Sequence, residues 1–336
     1  MDRAHSAAGY LAPLCQWVAP HPRKGTSRHP ALKAARAYGE PVARVLAVDI
    51  GGTKLAAAVV DRAGVLTGRA STPTLATSSA GTDGEELFGA LAALLDDVRA
   101  TAGADIVACG VGCGGPMSPG GVQVSPLNIA QWRSFPLRER LATHLGLPTF
   151  VDNDAKALTL GEGWIGEARG ERNYLGMVVS TGVGGGIVVD GRMLEGASTN
   201  AGHIGHVIVE PLGRQCGCGA RGCLEAEASG SAIRAITGRP AAQASAEVRE
   251  RTGTLVGRAV GSVVSLLDLR LVVVAGSVAL GFGEAFFAAA QRELDAVCRI
   301  EFARGARVQP AGSGELAPLV GAAAVAWRGL GQRVVG

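Results

Sequence analysis

Apolar residues fall in short dense runs along this chain, and most runs stop at a glycine or an acidic residue. ARVLAVDI (43–50) and LAAAVVD (55–61) predict two strands joined by the turn GGTK. GVLTGRAST (64–72) predicts a third after the turn DRAG, and residues 73–84 read as a polar loop. From 84 to 103 the apolar positions change to helical spacing and end on a glycine. ADIVACGVGCGG (104–115) predicts a buried strand entering a glycine-rich loop. Three strands, a helix, a strand and a helix form a mixed sheet with helices packed against it.

The pattern then recurs. NYLGMVVS (173–180) predicts a strand, TGVGGG a glycine turn, and IVVDG (187–191) the returning strand. A long helix over 247–269, a buried strand over 270–277, a helix over 283–298 and an apolar helix near 316–330 follow. Two halves that begin alike predict an internal repeat, and so an α/β fold of two lobes around a cleft. The boundary is expected near 155, where PTFVDNDAKALTLGEGW runs from a strand into a helix. Residues 43–155 would form a small lobe, completed by the C-terminal helix within 316–333, and 156–315 a large one.

Composition supports such a body and narrows its partners. Glycine supplies 50 of 336 residues without a collagen period, so tight turns and close backbone approaches are expected. The net charge of +3 is unevenly placed: residues 1–44 hold seven Lys or Arg against Asp2 and Glu40, whereas the remainder is slightly acidic. The body therefore has no basic stripe for nucleic acid. Residues 1–42 read as a leader, either a disordered arm or an over-long start, with no apolar core of a secretory signal. No run of 18 apolar residues predicts a membrane span, and a cytoplasmic location is expected. Cys216, Cys218 and Cys223 are tightly spaced while four other cysteines are scattered, which points to metal binding in a reducing compartment.

Asp49 ends the first strand before Gly51, Gly52, Thr53 and Lys54. Such a turn can offer backbone N–H groups, a hydroxyl and a positive charge to phosphate, and its carboxylate suits Mg²⁺. An ordinary hairpin is the competing reading, and the P-loop and dinucleotide spacings are absent. The second turn offers Thr181, Gly182, Gly184 and Gly185, and two such turns can clasp a polyphosphate. Asn153–Asp154 stands between a strand and a helix, where capping is the plain explanation. The chemical one makes Asp154 a general base that takes the proton of an alcohol attacking a phosphoryl group, with Asn153 orienting the acceptor. His206, Cys216, Cys218 and Cys223 form a Cys₃His set that predicts a closed, structural zinc site bracing His203 and Glu225. Lys156 is read as either an exposed lysine on its helix, the favoured reading, or a charge near the acceptor cleft.

With DIGGTK, NDA and the zinc motif in this order, the chain resembles the ROK family over roughly 43–333. The resemblance implies a two-lobed, actin-like or hexokinase-like ATPase fold, often dimeric, that transfers the γ-phosphoryl of ATP to a hexose hydroxyl, usually O6. It implies phosphate contacts from Asp49, Gly51, Gly52, Thr53, Lys54, Thr181, Gly182, Gly184 and Gly185, with Gly276 on the adenosine side. It implies sugar contacts from Gly115, Asn128, Asn153, Asp154, His203, His206 and Glu225, with catalysis by Asp154. The family usually reads AGEIGH where this chain reads AGHIGH, so His203 replaces a glutamate. Glucose is the leading acceptor and an amino sugar (kanosamine, glucosamine, N-acetylglucosamine or N-acetylmannosamine) the alternative. Repressors of the family carry an N-terminal helix-turn-helix, and no two-helix pattern precedes Asp49, which makes that role the weaker expectation.

Overall fold

The computed structural model describes residues 43–74, 84–102 and 105–336. The readings of 1–42 as a leader and of most of 73–84 as a polar loop lie outside the described residues. The first sheet contains β1 (Arg44–Ile50), β2 (Lys54–Asp61), β3 (Leu66–Pro73), β4 (Ile106–Cys113) and β5 (Thr149–Asn153). Its order is β3-β2-β1-β4-β5. β1 and β2 pair antiparallel, as do β2 and β3, while β1, β4 and β5 run parallel. α1 (Gly84–Ala102) and α2 (Leu137–Leu145) belong to this half.

The second sheet contains β6 (Tyr174–Val179), β7 (Val183–Val189), β8 (Arg192–Met193), β9 (Leu271–Ala275) and β10 (Arg307–Pro310), in the order β10-β9-β6-β7-β8. Here too the first three strands are antiparallel, and β9 and β10 join in parallel. Strand for strand this is the topology of the first sheet, so the internal repeat is real. Its helices are α4 (Leu224–Ala228), α5 (Gly230–Thr237), α6 (Ala246–Leu267), α7 (Ser277–Phe282) and α8 (Glu284–Val297). Among the described residues no helix is long and apolar enough to cross a membrane.

Two further helices join the halves. α3 (Asp154–Ile165) follows β5 yet packs on β6 and β7, and α9 (Ala317–Gly329) follows β10 yet packs on β1 and β4. The strand period of two explains how. On β1, Leu46, Val48 and Ile50 enter a core with Leu87, Leu91 and Trp132, whereas Val45 and Ala47 face the layer of α3 and α9. That middle layer is built from Ala322, Ala323, Ala326, Ala157 and Leu160, and the small side chains let the helices approach closely. A Cβ on Gly161 would stand 3.0 Å from Gly321 Cα, so glycine is what the crossing tolerates.

The second glycine turn is shorter than the sequence predicts. Gly184, Gly185 and Gly186 lie inside β7, paired with Val178, Met177 and Gly176. A Cβ on Gly186 would meet Lys156 Cα at 2.9 Å and Thr159 Oγ1 at 2.6 Å. Gly184 and Gly186 make room for α3 against the sheet, Gly185 faces Gly202 and Ile204, and only residues 180–182 form the tip.

Candidate active site and zinc loop

β1, β4 and β5 deliver their C-terminal ends to one edge, where register sets Asp49 beside Gly112 and Gly112 beside Asp152. A Cβ on Gly112 would lie 4.0 Å from Asp49 Oδ1 and 3.7 Å from Asp154 Cα, so Asp49 and the start of α3 flank the bare glycine. Burial, reinforced by the charge of Asp154 and opposed by Lys54, raises Asp49 to about 7. Burial also raises Asp154, against the pull of the Ala155 N–H it accepts at 2.8 Å and of nearby His203. Asp154 keeps contact with solvent on its outer side, so it sits in an open recess rather than sealed in a core. A carboxylate raised in this way is a stronger base than an ordinary aspartate, which suits it to accepting a proton. Asp152, by contrast, is committed to ion pairs with Lys156 and Arg328.

Asn153 caps α3, its Oδ1 accepting from Ala155 N–H at 3.0 Å. The capping explanation therefore holds for its oxygen and leaves Nδ2 available. A Cβ on Gly115 would stand 3.4 Å from that Nδ2 and 3.9 Å from His203 Nε2. Asn128 packs against the first turn, since a Cβ on Gly52 would lie 2.6 Å from Asn128 Cβ. Gly115, Asn128, Asn153, Asp154 and His203 thus gather at one recess beside the first hairpin. His203 Nδ1 lies 2.9 Å from the carbonyl oxygen of Asn200. A carbonyl only accepts, so Nδ1 carries a proton and Nε2 is the ring nitrogen left toward the sugar-type contacts.

In the first hairpin Gly51 N–H donates to Lys54 O at 3.0 Å and Thr74 Oγ1 to Gly51 O at 2.7 Å, leaving Gly52, Thr53 and Lys54 exposed. In the second, the carbonyls of Ser180 and Thr181 accept from Gly230 N–H and Ser231 N–H at the start of α5. Ser180 Oγ lies 3.0 Å from Ser277 Oγ, which brings the turn at Gly276 against this tip. Gly276 has φ 101 and backs onto Val179, a geometry only glycine takes readily. Glu225 Oε2 accepts from Val183 N–H at 3.0 Å, so Glu225 braces the second hairpin. Sequence reasoning missed this contact, which spans two distant loops.

His206, Cys216, Cys218 and Cys223 form a zinc-binding cluster, with ligand atoms all within 4.8 Å of one another. Cys218 Sγ and Cys223 Sγ are 3.7 Å apart, and Cys216 Sγ lies 3.8 Å from His206 Nδ1. Tetrahedral bonds of about 2.3 Å to sulfur place two sulfurs about 3.8 Å apart, so the spacing fits zinc. Burial pushes the Cys223 thiol up to about 12, with Cys218 and Cys216 adding to it. A divalent cation is what lets three thiolates stand together there. Buried Glu227 secures the loop by accepting from Arg214 N–H and pairing with Arg251, each at 2.6 Å. The rings of His203 and His206 are 6.2 Å apart and nearly parallel, so His203 stands beside the metal loop.

Lys156 corrects the reading from sequence. It is 1% exposed, and its ammonium pairs with Glu195 and with Asp152 at 3.5 Å and donates to Thr199 O at 3.1 Å. Burial of its stem between α3 and β7 draws the charge inward, where two acids meet it.

Known proteins place this architecture. The N-acetylmannosamine kinase of Citrobacter koseri is 37% identical over 254 residues, covering 71% of this chain and 84% of that protein. The glucokinase of Thermotoga maritima is 36% identical over 196 residues, 58% of this chain and 60% of that one. Among solved structures, a ROK family glucokinase from Streptomyces griseus in complex with glucose and AMPPNP superposes with a TM-score of 0.73 at 28% identity. That superposition covers 85% of this chain and 99% of the other. The sequence signature of the ROK family spans residues 45–328, and with this fold and this His/Cys cluster the chain belongs to the ROK family.

Proposed function

We propose that this ATP-dependent ROK-family sugar kinase transfers the γ-phosphoryl group of ATP to the 6-hydroxyl of a hexose, with glucose as the first acceptor to test. The observation that carries the reading is the raised, solvent-reached Asp154 carboxylate standing across Gly112 from Asp49, between a phosphate-type hairpin and a cluster of sugar-type contacts. Asp154 takes the O6 proton while O6 bonds to the γ-phosphorus and the bond to the β–γ bridging oxygen breaks, releasing ADP. In this reading the backbone N–H groups of Gly52, Thr53, Thr181 and Gly182 hold the phosphates, and Lys54 adds positive charge. A Mg²⁺ ion, when bound, neutralises phosphate charge, and Asp49 is the carboxylate placed to hold it. Most of the acceleration comes from placement and electrostatics. The lobes would close over the sugar and exclude water as competing acceptor. The chain is proposed to work as a homodimer in the cytoplasm.

A second reading, an N-acetylated amino sugar as acceptor, draws on the similarity to the Citrobacter koseri enzyme. It also draws on His203, whose neutral ring offers one acceptor nitrogen where a carboxylate would offer two oxygens. With Glu225 Oε2 engaged at Val183, a cationic amino group finds little free acid at this end of the recess. Acetylated sugars therefore fit better than free amines.

ADP release measured with glucose, mannose, N-acetylglucosamine, N-acetylmannosamine, glucosamine and kanosamine decides between them through kcat/KM ratios. Asp154→Asn should lower kcat by about 10²–10⁴-fold with sugar affinity nearly kept. Turnover close to wild type in that variant would remove Asp154 as the base.

A further inference from the structure

We propose that Lys156 is a positioning residue that couples the base-bearing helix to the sugar-contacting loop, setting His203 relative to Asp154. The inference rests on the kinase reading for what the loop contacts.

Four charges from four segments alternate around a square. Lys156 of α3 and Arg328 of α9 each pair with Asp152 at the end of β5 and with Glu195 in the loop after β8. The Asp152 contacts measure 3.5 Å from Lys156 and 3.4 Å from Arg328. Asp152 Oδ1 also accepts from Asn153 N–H at 2.8 Å, tying the square to the Asn153–Asp154 doublet.

Lys156 makes one contact that Arg328 does not. Its third donor reaches Thr199 O at 3.1 Å. Thr199 has φ 62, a left-handed conformation that a β-branched residue adopts only when its surroundings hold it. The next carbonyl, Asn200 O, accepts from His203 Nδ1–H and fixes which ring nitrogen meets the recess. The same Asn200 reaches Met117 O with Nδ2 at 3.4 Å, so the turn also touches the loop after β4. A buried ammonium two residues from the base thus clamps the turn that aims the histidine. Its charge is balanced by two acids, which is the condition for keeping a lysine so deep.

The test compares Lys156→Met/Glu195→Gln, which removes one charge of each sign, with Arg328→Gln, which breaks the square but spares the Thr199 bond. In the double variant the sugar KM should rise about tenfold or more while the ATP KM stays within about twofold. Amide hydrogens of residues 196–206 should exchange about tenfold faster. In Arg328→Gln both changes should stay below about threefold. A wild-type exchange rate in the double variant overturns the proposal, as does an equal rise of sugar KM in the two variants. Glucose and N-acetylmannosamine serve as acceptors. A wild-type protein that phosphorylates neither counts against the kinase reading, while the exchange comparison still decides whether Lys156 holds the loop.

Discussion

Asp49 and Asp154 flank Gly112, and the charge of Asp154 adds to the burial that lifts Asp49 to about 7. The proposed mechanism uses both as carboxylates, one toward a cation and one toward the acceptor proton. The free enzyme should therefore lose kcat/KM as pH falls through about 7, far above the ordinary aspartate value of 3.8. The loss should steepen beyond one decade per pH unit once Asp154 is protonated too. A profile of kcat/KM against pH that stays flat down to about pH 5 would contradict this electrostatic setting.

The same shift carries a stability consequence with a definite sign. Asp49 ionises at 3.8 as an ordinary side chain and at about 7 in the fold, so between these values the native state binds more protons than the unfolded one. Stability is then lost as pH rises from about 4 through 7. Asp49→Asn removes that penalty and should raise Tm at pH 8, by roughly 2–4 °C per kcal/mol relieved. At pH 4, where the wild-type carboxyl is largely protonated in the fold, the two proteins should melt nearly together. Melting curves across this range check both halves of the statement.

The strands that place these acids were legible in the sequence because each is a short apolar run closed by glycine or aspartate. The repeat was legible for the same reason, and the zinc set because its four ligands fall within eighteen residues. Lys156 was misread because its partners Glu195 and Thr199 arrive from a distant segment, and local spacing shows only a helix position. Gly184–Gly186 read as a turn because a strand interior without side chains is indistinguishable from a loop until α3 is seen lying on it. The sequence likewise held no sign that Glu225 supports the second hairpin, a contact fixed by how the zinc loop folds back.

That contact ties α4, which follows the zinc loop, to the second hairpin, the proposed nucleotide turn. Removing a charged acceptor from a buried backbone N–H costs about 1.5–3 kcal/mol. Glu225→Ala should accordingly raise the ATP KM as well as the sugar KM, each by about tenfold or more. A residue that served the sugar alone would leave the ATP KM unchanged, and initial-rate kinetics with each substrate varied separate the two cases.

The zinc cluster should act through geometry. Cys218 is the exposed one of the three cysteines, so Cys218→Ser weakens the site with little disturbance to buried packing. The variant should bind less than one zinc per chain, melt at lower temperature and show a raised sugar KM. Its kcat at saturating sugar should fall far less than in Asp154→Asn, because no step of the transfer uses the metal. A metal-depleted protein with wild-type sugar KM would separate the loop from acceptor binding.

His203 is the residue whose exchange should change preference rather than rate. Its Nδ1–H is held by Asn200 O, so in the proposed site Nε2 is the one ring nitrogen offered to an acceptor sugar. His203→Glu restores two acceptor oxygens and loses the bond to Asn200. Hydrogen bonds to a charged group such as the new carboxylate contribute about 1.5–3 kcal/mol each, so kcat/KM ratios across the sugar panel should shift by roughly tenfold or more. The kcat for the best acceptor should change less, because Asp154 and the phosphate turns stay in place. If all sugars lose activity in equal proportion, His203 supports the site as a whole and does not choose among them.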